Sequence, residues 1–193
     1  MMLTPVTADE SAYLAADDTV DHFHPRVRET AARLMAAAGG ELTGYARAAF
    51  EFVRDTITHS ADADDPRITW RASDVLEQRT GICHAKSHAL VALLRAEGIP
   101  AGFCYQKLDV LHGLIALRLP GARRWARQDA RGNKPGVDAQ FSLGRERLAW
   151  PVRPEKGECE YPLLHAEPHP VVLRALRTAE DRAGLWELLD RAL

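Results

Sequence analysis

Cysteines stand at positions 83, 104 and 159 of the 193-residue chain, and Cys83 alone has surroundings suited to a reactive thiol. It follows Thr80-Gly81-Ile82, where a turn should launch a helix running from about Cys83 to Glu97. The first turn of a helix has backbone N–H groups without intrahelical partners and the positive end of the macrodipole, so a thiolate is favoured there. A thiol nucleophile needs a base, and the base needs an orienting group. His112 and Asp129 qualify, because they fall on two expected strands joined near Pro120-Gly121. If Leu119 pairs with Ala122, the two side chains oppose each other directly; a loop two residues longer leaves them diagonal on the same face, and a one-residue bulge separates them. Asp109 and Asp138 are alternatives for the third member but fit that hairpin less well.

Several elements must position these groups. From Pro25 the apolar residues Val27, Ala31, Leu34, Met35 and Ala38 recur at helical spacing until Gly39-Gly40, and Leu42, Tyr45, Ala46, Ala49, Phe50, Val53 and Ile57 repeat it. These two helices should pack as a hairpin. Ser73 is a plausible cap for a short helix through Gln78. Along the Cys83 helix, Ser87, Leu90, Val91 and Leu94 place the cysteine on a buried stripe, and Gly98-Ile99-Pro100 ends it. From Phe103 to Trp125 apolar residues sit in short segments between turns, which predicts antiparallel sheet. The stretch 138–161 is broken by Pro151, Pro154, Gly144 and Gly157, and the prolines at 162, 168 and 170 extend an irregular surface segment. Leu185, Leu188, Leu189 and Ala192 restore helical spacing behind a Thr178 cap.

The segment Thr80-Gly81-Ile82-Cys83 followed by Ala89-Leu90-Val91-Ala92-Leu93-Leu94-Arg95-Ala96-Glu97-Gly98-Ile99-Pro100-Ala101 resembles the transglutaminase-like superfamily of papain-like cysteine enzymes. Ala49 to Ile57 resembles the family's preceding helix, so the likeness spans roughly residues 25 to 133. The resemblance implies an α+β fold with a papain-like core: N-terminal helices, the nucleophile helix on an antiparallel sheet, and C-terminal helices. It also implies Cys83 as nucleophile, His112 as base and then acid, and Asp129 as the orienting group, acting by acyl transfer through a thioester. Amide or peptide hydrolysis is the expected outcome, and protein-glutamine crosslinking or a catalytically silent peptide-binding module are the alternatives. The Cys83 backbone N–H would be one oxyanion donor, with Gln78 or Trp70 offering a second. The chain departs from the family after the histidine, where Gly113-Leu114-Ile115 replaces a small residue and tryptophan, and after Asp129, where Ala130 replaces proline.

Simpler readings stand beside these. A lone helical cysteine can be an inert small hydrophobe, and a strand histidine can be a satisfied core residue. His84 and His88 have a spacing that can hold zinc but lack a third ligand, so no metal and no cofactor is expected. Asp62-Ala63-Asp64-Asp65 lacks the glycine and distal glutamate of a calcium loop and reads as solvated. Arg118, Arg123, Arg124, Arg127 and Arg131 read as a solvated sheet edge, with attraction of an acidic substrate the alternative. Basic residues numbering 25 against 27 acidic ones, a net charge of −2, give no pull towards nucleic acid or an anionic membrane. The length suits one domain over residues 1–193, with a core of about 25–142 and an extension of about 143–193. With no apolar run of bilayer length and no leader at Met1 to Glu10, a cytoplasmic location is expected, and the partner is a peptide or amide substrate, which includes proteins.

Overall fold

In a computed structural model, which describes residues 2–190, a short strand β1 (Thr4–Pro5) and a 3-10 turn (Glu10–Tyr13) precede the first long helix. Helix α1 (Pro25–Ala37) starts with proline at its first position behind a His24 cap and stops where Gly39 and Gly40 both take positive φ, 66° and 80°. Helix α2 (Leu42–Thr56) is capped by the Glu41 carboxylate, which accepts from Thr43 and Gly44 N–H, and buries Tyr45, Ala46, Ala49, Phe50 and Val53 as the periodicity predicts. Strand β2 (Thr58–His59) follows directly, and helix α3 (Ala72–Gln78) leads into β3 (Thr80–Gly81). Ser73 is not the cap of α3: the helix starts behind Arg71, and the Ser73 N–H is taken by Asp21.

Helix α4 (Cys83–Ala96) is the centre of the molecule. The sequence predicts one buried stripe, yet every residue from Cys83 to Arg95 is buried, because α1, α2 and α3 pack on one side and the sheet on the other. Fully burying Leu90, Val91, Leu93 and Leu94 contributes about 1.5–3 kcal/mol each. Its buried polar residues therefore need specific partners. Arg95, for example, donates to the carbonyls of Ala15, Ala101 and Ala166.

The sheet has the order β6–β5–β4–β7, all antiparallel, with β4 (Ala101–Lys107), β5 (Leu111–Leu117), β6 (Ala126–Gln128) and β7 (Cys159–Glu160). Its faces separate by alternation: Phe103, Tyr105, Ile115 and Leu117 join the α4 core, whereas Cys104, Leu114 and Ala116 pack with Tyr13, Leu164 and Ala166. The helix–sheet arrangement is the expected α+β fold. Strand β8 (Leu163–Leu164) pairs with β1, and helix α5 (Pro170–Thr178) precedes α6 (Arg182–Asp190). The proline-rich tail is thus more regular than its sequence suggests. Pro170 opens α5 behind a His169 cap, while Thr178 ends that helix instead of starting the next. Ala192 lies outside the described residues. Among the described residues, no helix is long and apolar enough to cross a membrane.

The charged segments are tied down by distant partners. Arg131 pairs with Asp62, which also accepts from Lys134; Arg182 pairs with Asp64, and Arg67 with Asp65. Arg127 is buried between Glu146 and Glu160. Arg127 and Arg131 therefore do not form the solvated edge expected of them, whereas Arg123 and Arg124 are exposed.

Candidate active site

Cys83 is the first residue of α4, and no side chain caps that helix. Its N-terminal amides are left to interact with an anion. Burial by itself pushes the thiol up, but the imidazoles of His84, His112 and His59 outweigh it and hold Cys83 well below the ordinary thiol range. Cys104, in contrast, is fully buried without such neighbours, and burial pushes its thiol up; Cys159 is exposed.

His112 lies near the start of β5 and Asp129 one residue beyond β6. The β5–β6 ladder pairs Ile115 with Gln128 and Leu117 with Ala126, which is the longer of the two registers open to the sequence. Continued outward, it sets Asp129 diagonal to His112 on one face, and His112 Nε2 is 2.8 Å from Asp129 Oδ2. The carboxylate also accepts from the N–H groups of Arg131 (3.2 Å) and Ala149 (3.0 Å). Both members are buried. Burial opposes charge on each, but mutual attraction prevails, so Asp129 is held below its ordinary value and His112 is pushed up to about 10. With Nε2 committed to Asp129, Nδ1 is the ring nitrogen left for the thiol. The Trp150 ring stands edge-on to His112 at 5.3 Å, and the Arg131 guanidinium lies 5.0 Å over Trp150, which screens the pair from water.

His84, the neighbour of Cys83, grips the chain on both sides of His112. Its Nε2 is 3.0 Å from the carbonyl oxygen of Leu111, and its ring occupies the space over Gly113, where a Cβ would come within 2.2 Å of Nδ1. Glycine at position 113 thus makes room for a histidine. His88 meets the carbonyl of Trp70 at 2.7 Å, and burial lowers it to about 4. Among the described residues, no group of three or more His, Cys, Asp or Glu is placed to hold a metal ion.

A cavity of about 470 Å³ opens over Cys83 and His112. Leu108 to Leu111, Trp150, Pro151, Arg153 and Trp186 form its walls, and His59 and Arg131 join them beside the thiol. Neither Gln78 nor Trp70 lines it: Gln78 is exposed at the end of α3, and the Trp70 ring is covered by Arg71 and Arg177. The residue that sequence reading misses is His59. Strand β2 runs parallel to β3 with His59 opposite Gly81, two residues before the nucleophile. A two-residue strand shows no alternation, so nothing but its residue type marked it.

The geometry is a thiol at a bare helix N-terminus, facing an imidazole held by a buried carboxylate, on a helix packed against an antiparallel sheet. Comparison with the curated proteins finds no match. Among solved structures, a protein of Cytophaga hutchinsonii, provisionally assigned as a cysteine protease, shares the fold with a TM-score of 0.51 at 17% identity. The alignment covers 65% of this chain and 43% of that one, so this chain spans less than half the length of that protein. The family model of the transglutaminase-like superfamily matches residues 28–129, more than half of the chain, from α1 through the thiol and imidazole to Asp129. By that match the chain belongs to the transglutaminase-like superfamily, a family of cysteine enzymes.

Proposed function

We propose that this protein is a cysteine-dependent acyl-transfer enzyme that hydrolyses an amide or peptide bond through a thioester, with Cys83, His112 and Asp129 as its catalytic triad. The observation that carries this reading is the buried His112–Asp129 bond of 2.8 Å facing a thiol held well below its ordinary range. In the resting pair Cys83 is thiolate and His112 imidazolium. The thiolate adds to the substrate carbonyl carbon, and the C=O electron pair moves onto oxygen. As that pair returns, the C–N bond breaks and the leaving nitrogen takes the His112 proton, leaving a thioester. Neutral His112 then removes a proton from water as its oxygen attacks the thioester. Collapse expels the Cys83 thiolate and restores the ion pair. Asp129 keeps the ring oriented and stabilises its charged form throughout.

The test is the pH dependence of alkylation at each of the three cysteines, read by peptide mass spectrometry in the parent and in His112→Ala. The expected result is a Cys83 that alkylates fast below pH 7 and loses this behaviour without His112, its apparent pKa moving up as a favourable charge is removed. A Cys83 no faster than Cys104 and Cys159, although the cleft is open, overturns the triad and favours a silent binding module. Incorporation of a labelled primary amine into a glutamine-rich protein, without amide cleavage, would replace water by an amine as acceptor.

A further inference from the structure

We propose that His59 is a catalytic residue, donating an imidazole N–H to the oxyanion that forms when Cys83 attacks a carbonyl, together with the backbone N–H of Cys83. The inference rests on the acyl-transfer reading of the same site and supplies the donor that neither Gln78 nor Trp70 is placed to give. Three observations carry it. First, the His59 backbone is fixed beside the nucleophile: it pairs with Gly81 in the β2–β3 ladder, Ser60 N–H bonds the Gly81 carbonyl at 3.2 Å, and Asp62 N–H bonds the His59 carbonyl at 2.9 Å. Second, the ring lines the cavity at only 7% exposure and within hydrogen-bonding reach of the Cys83 thiol, and its sealed Nδ1 has no other partner among the described residues. A buried polar atom left unpaired costs stability unless it serves a ligand or a reaction. Third, no carboxylate orients the ring as Asp129 orients His112. The nearby Asp62 is engaged by Arg131 and Lys134.

These facts separate the two histidines. Burial lowers His59 below its ordinary value, so at neutral pH it is an uncharged imidazole that keeps one N–H. Such a ring is a poor proton acceptor and a usable donor. On attack, negative charge leaves the sulfur and appears on the former carbonyl oxygen, which is joined to the sulfur through the carbonyl carbon. A rigid N–H in a dry wall stabilises that oxygen without reorganising.

Two probes of Cys83 distinguish this role from others. p-Nitrophenyl acetate acylates the thiolate through a tetrahedral oxyanion: the S–C bond forms, the oxygen gains the electron pair, and nitrophenolate leaves with the C–O pair. Iodoacetamide alkylates the same thiolate by displacing iodide, with no oxyanion. Both rates are measured at Cys83 in a Cys159→Ser background, for the parent, His59→Phe and His59→Gln, each at a pH on its thiolate plateau, because His59 also helps to hold the thiol low. The expected result is a loss of about a hundredfold in acylation by His59→Phe with alkylation reduced far less, as for removal of an oxyanion donor. His59→Gln, which keeps an N–H, recovers part of the acylation rate. Equal loss in both reactions, or loss in neither, overturns the assignment of His59 while leaving the triad standing. A parent Cys83 that is slow towards both reagents and indifferent to His112→Ala overturns the triad, and the His59 role with it.

Discussion

A Cβ added at Gly113 would lie 2.2 Å from His84 Nδ1, a separation no packed structure tolerates, so either the ring or β5 must move. Gly113→Ala should therefore lower stability by about 1–3 kcal/mol, as overpacking does in a filled core, and weaken the bond from His84 to the Leu111 carbonyl. Thermal unfolding of Gly113→Ala, His84→Ala and the double variant checks this. The double variant should be more stable than the sum of the single losses, because the clash needs both side chains. Additive losses would show that Gly113 matters for another reason. At this scale the sequence is informative where a residue sits at a feature that leaves a local trace. Cys83 follows a turn and opens a long apolar helix, and His112 and Asp129 flank one hairpin. His59 has no such trace, and Arg127 and Arg131 read as solvated because their partners Glu146, Glu160 and Asp62 lie far away along the chain.

Among the elements, α2 depends on α4 for its ending. The Lys86 ammonium, buried in α4, donates to the carbonyls of Arg54 and Ile57, which close α2 and lead into the strand bearing His59. Burial pushes Lys86 down to about 7, from an ordinary value of 10.5. Below the lower value both folded and unfolded states carry the charge, and the folded state bears the full cost of burying it. Between the two values the folded protein releases its proton first, so stability gained from Lys86 rises with pH. Its bonds to the two carbonyls survive, since a neutral amine still donates. Lys86→Met should accordingly cost about 1–3 kcal/mol at pH 10, where the two carbonyls lose their donor, and less at pH 6. Urea unfolding at several pH values reads the difference; a cost that grows towards acid would refute it. The order of α1 to α4 and the sheet is legible from periodicity, turns and β-rich segments. Helix α5 is less so, because its prolines read as breakers although Pro170 is the favoured first residue of a helix.

For the whole molecule, the cleft is a meeting of three parts: the helical layer with its β2–β3 strand pair brings Cys83 and His59, the sheet brings His112, and the chain beyond β6 brings Trp150 and Trp186. Under the proposed acyl transfer, two tryptophans near the thiol would favour an apolar acyl group, since each methylene removed from water contributes about 0.8 kcal/mol. The parent should acylate faster with p-nitrophenyl hexanoate than with the acetate, and Trp186→Ala should shrink that ratio several-fold while leaving iodoacetamide alkylation of Cys83 nearly unchanged. An unaltered ratio would remove α6 from the acyl site. The grip of His84 on both neighbours of His112 bears on how this cleft fluctuates. A displacement of α4 carries His84 with it, and His84 drags the segment 111–113 the same way. Helix and strand then move in common mode, like two beads on one rigid bar, so the gap between sulfur and imidazole should be among the least variable separations in a site whose outer walls are free to breathe.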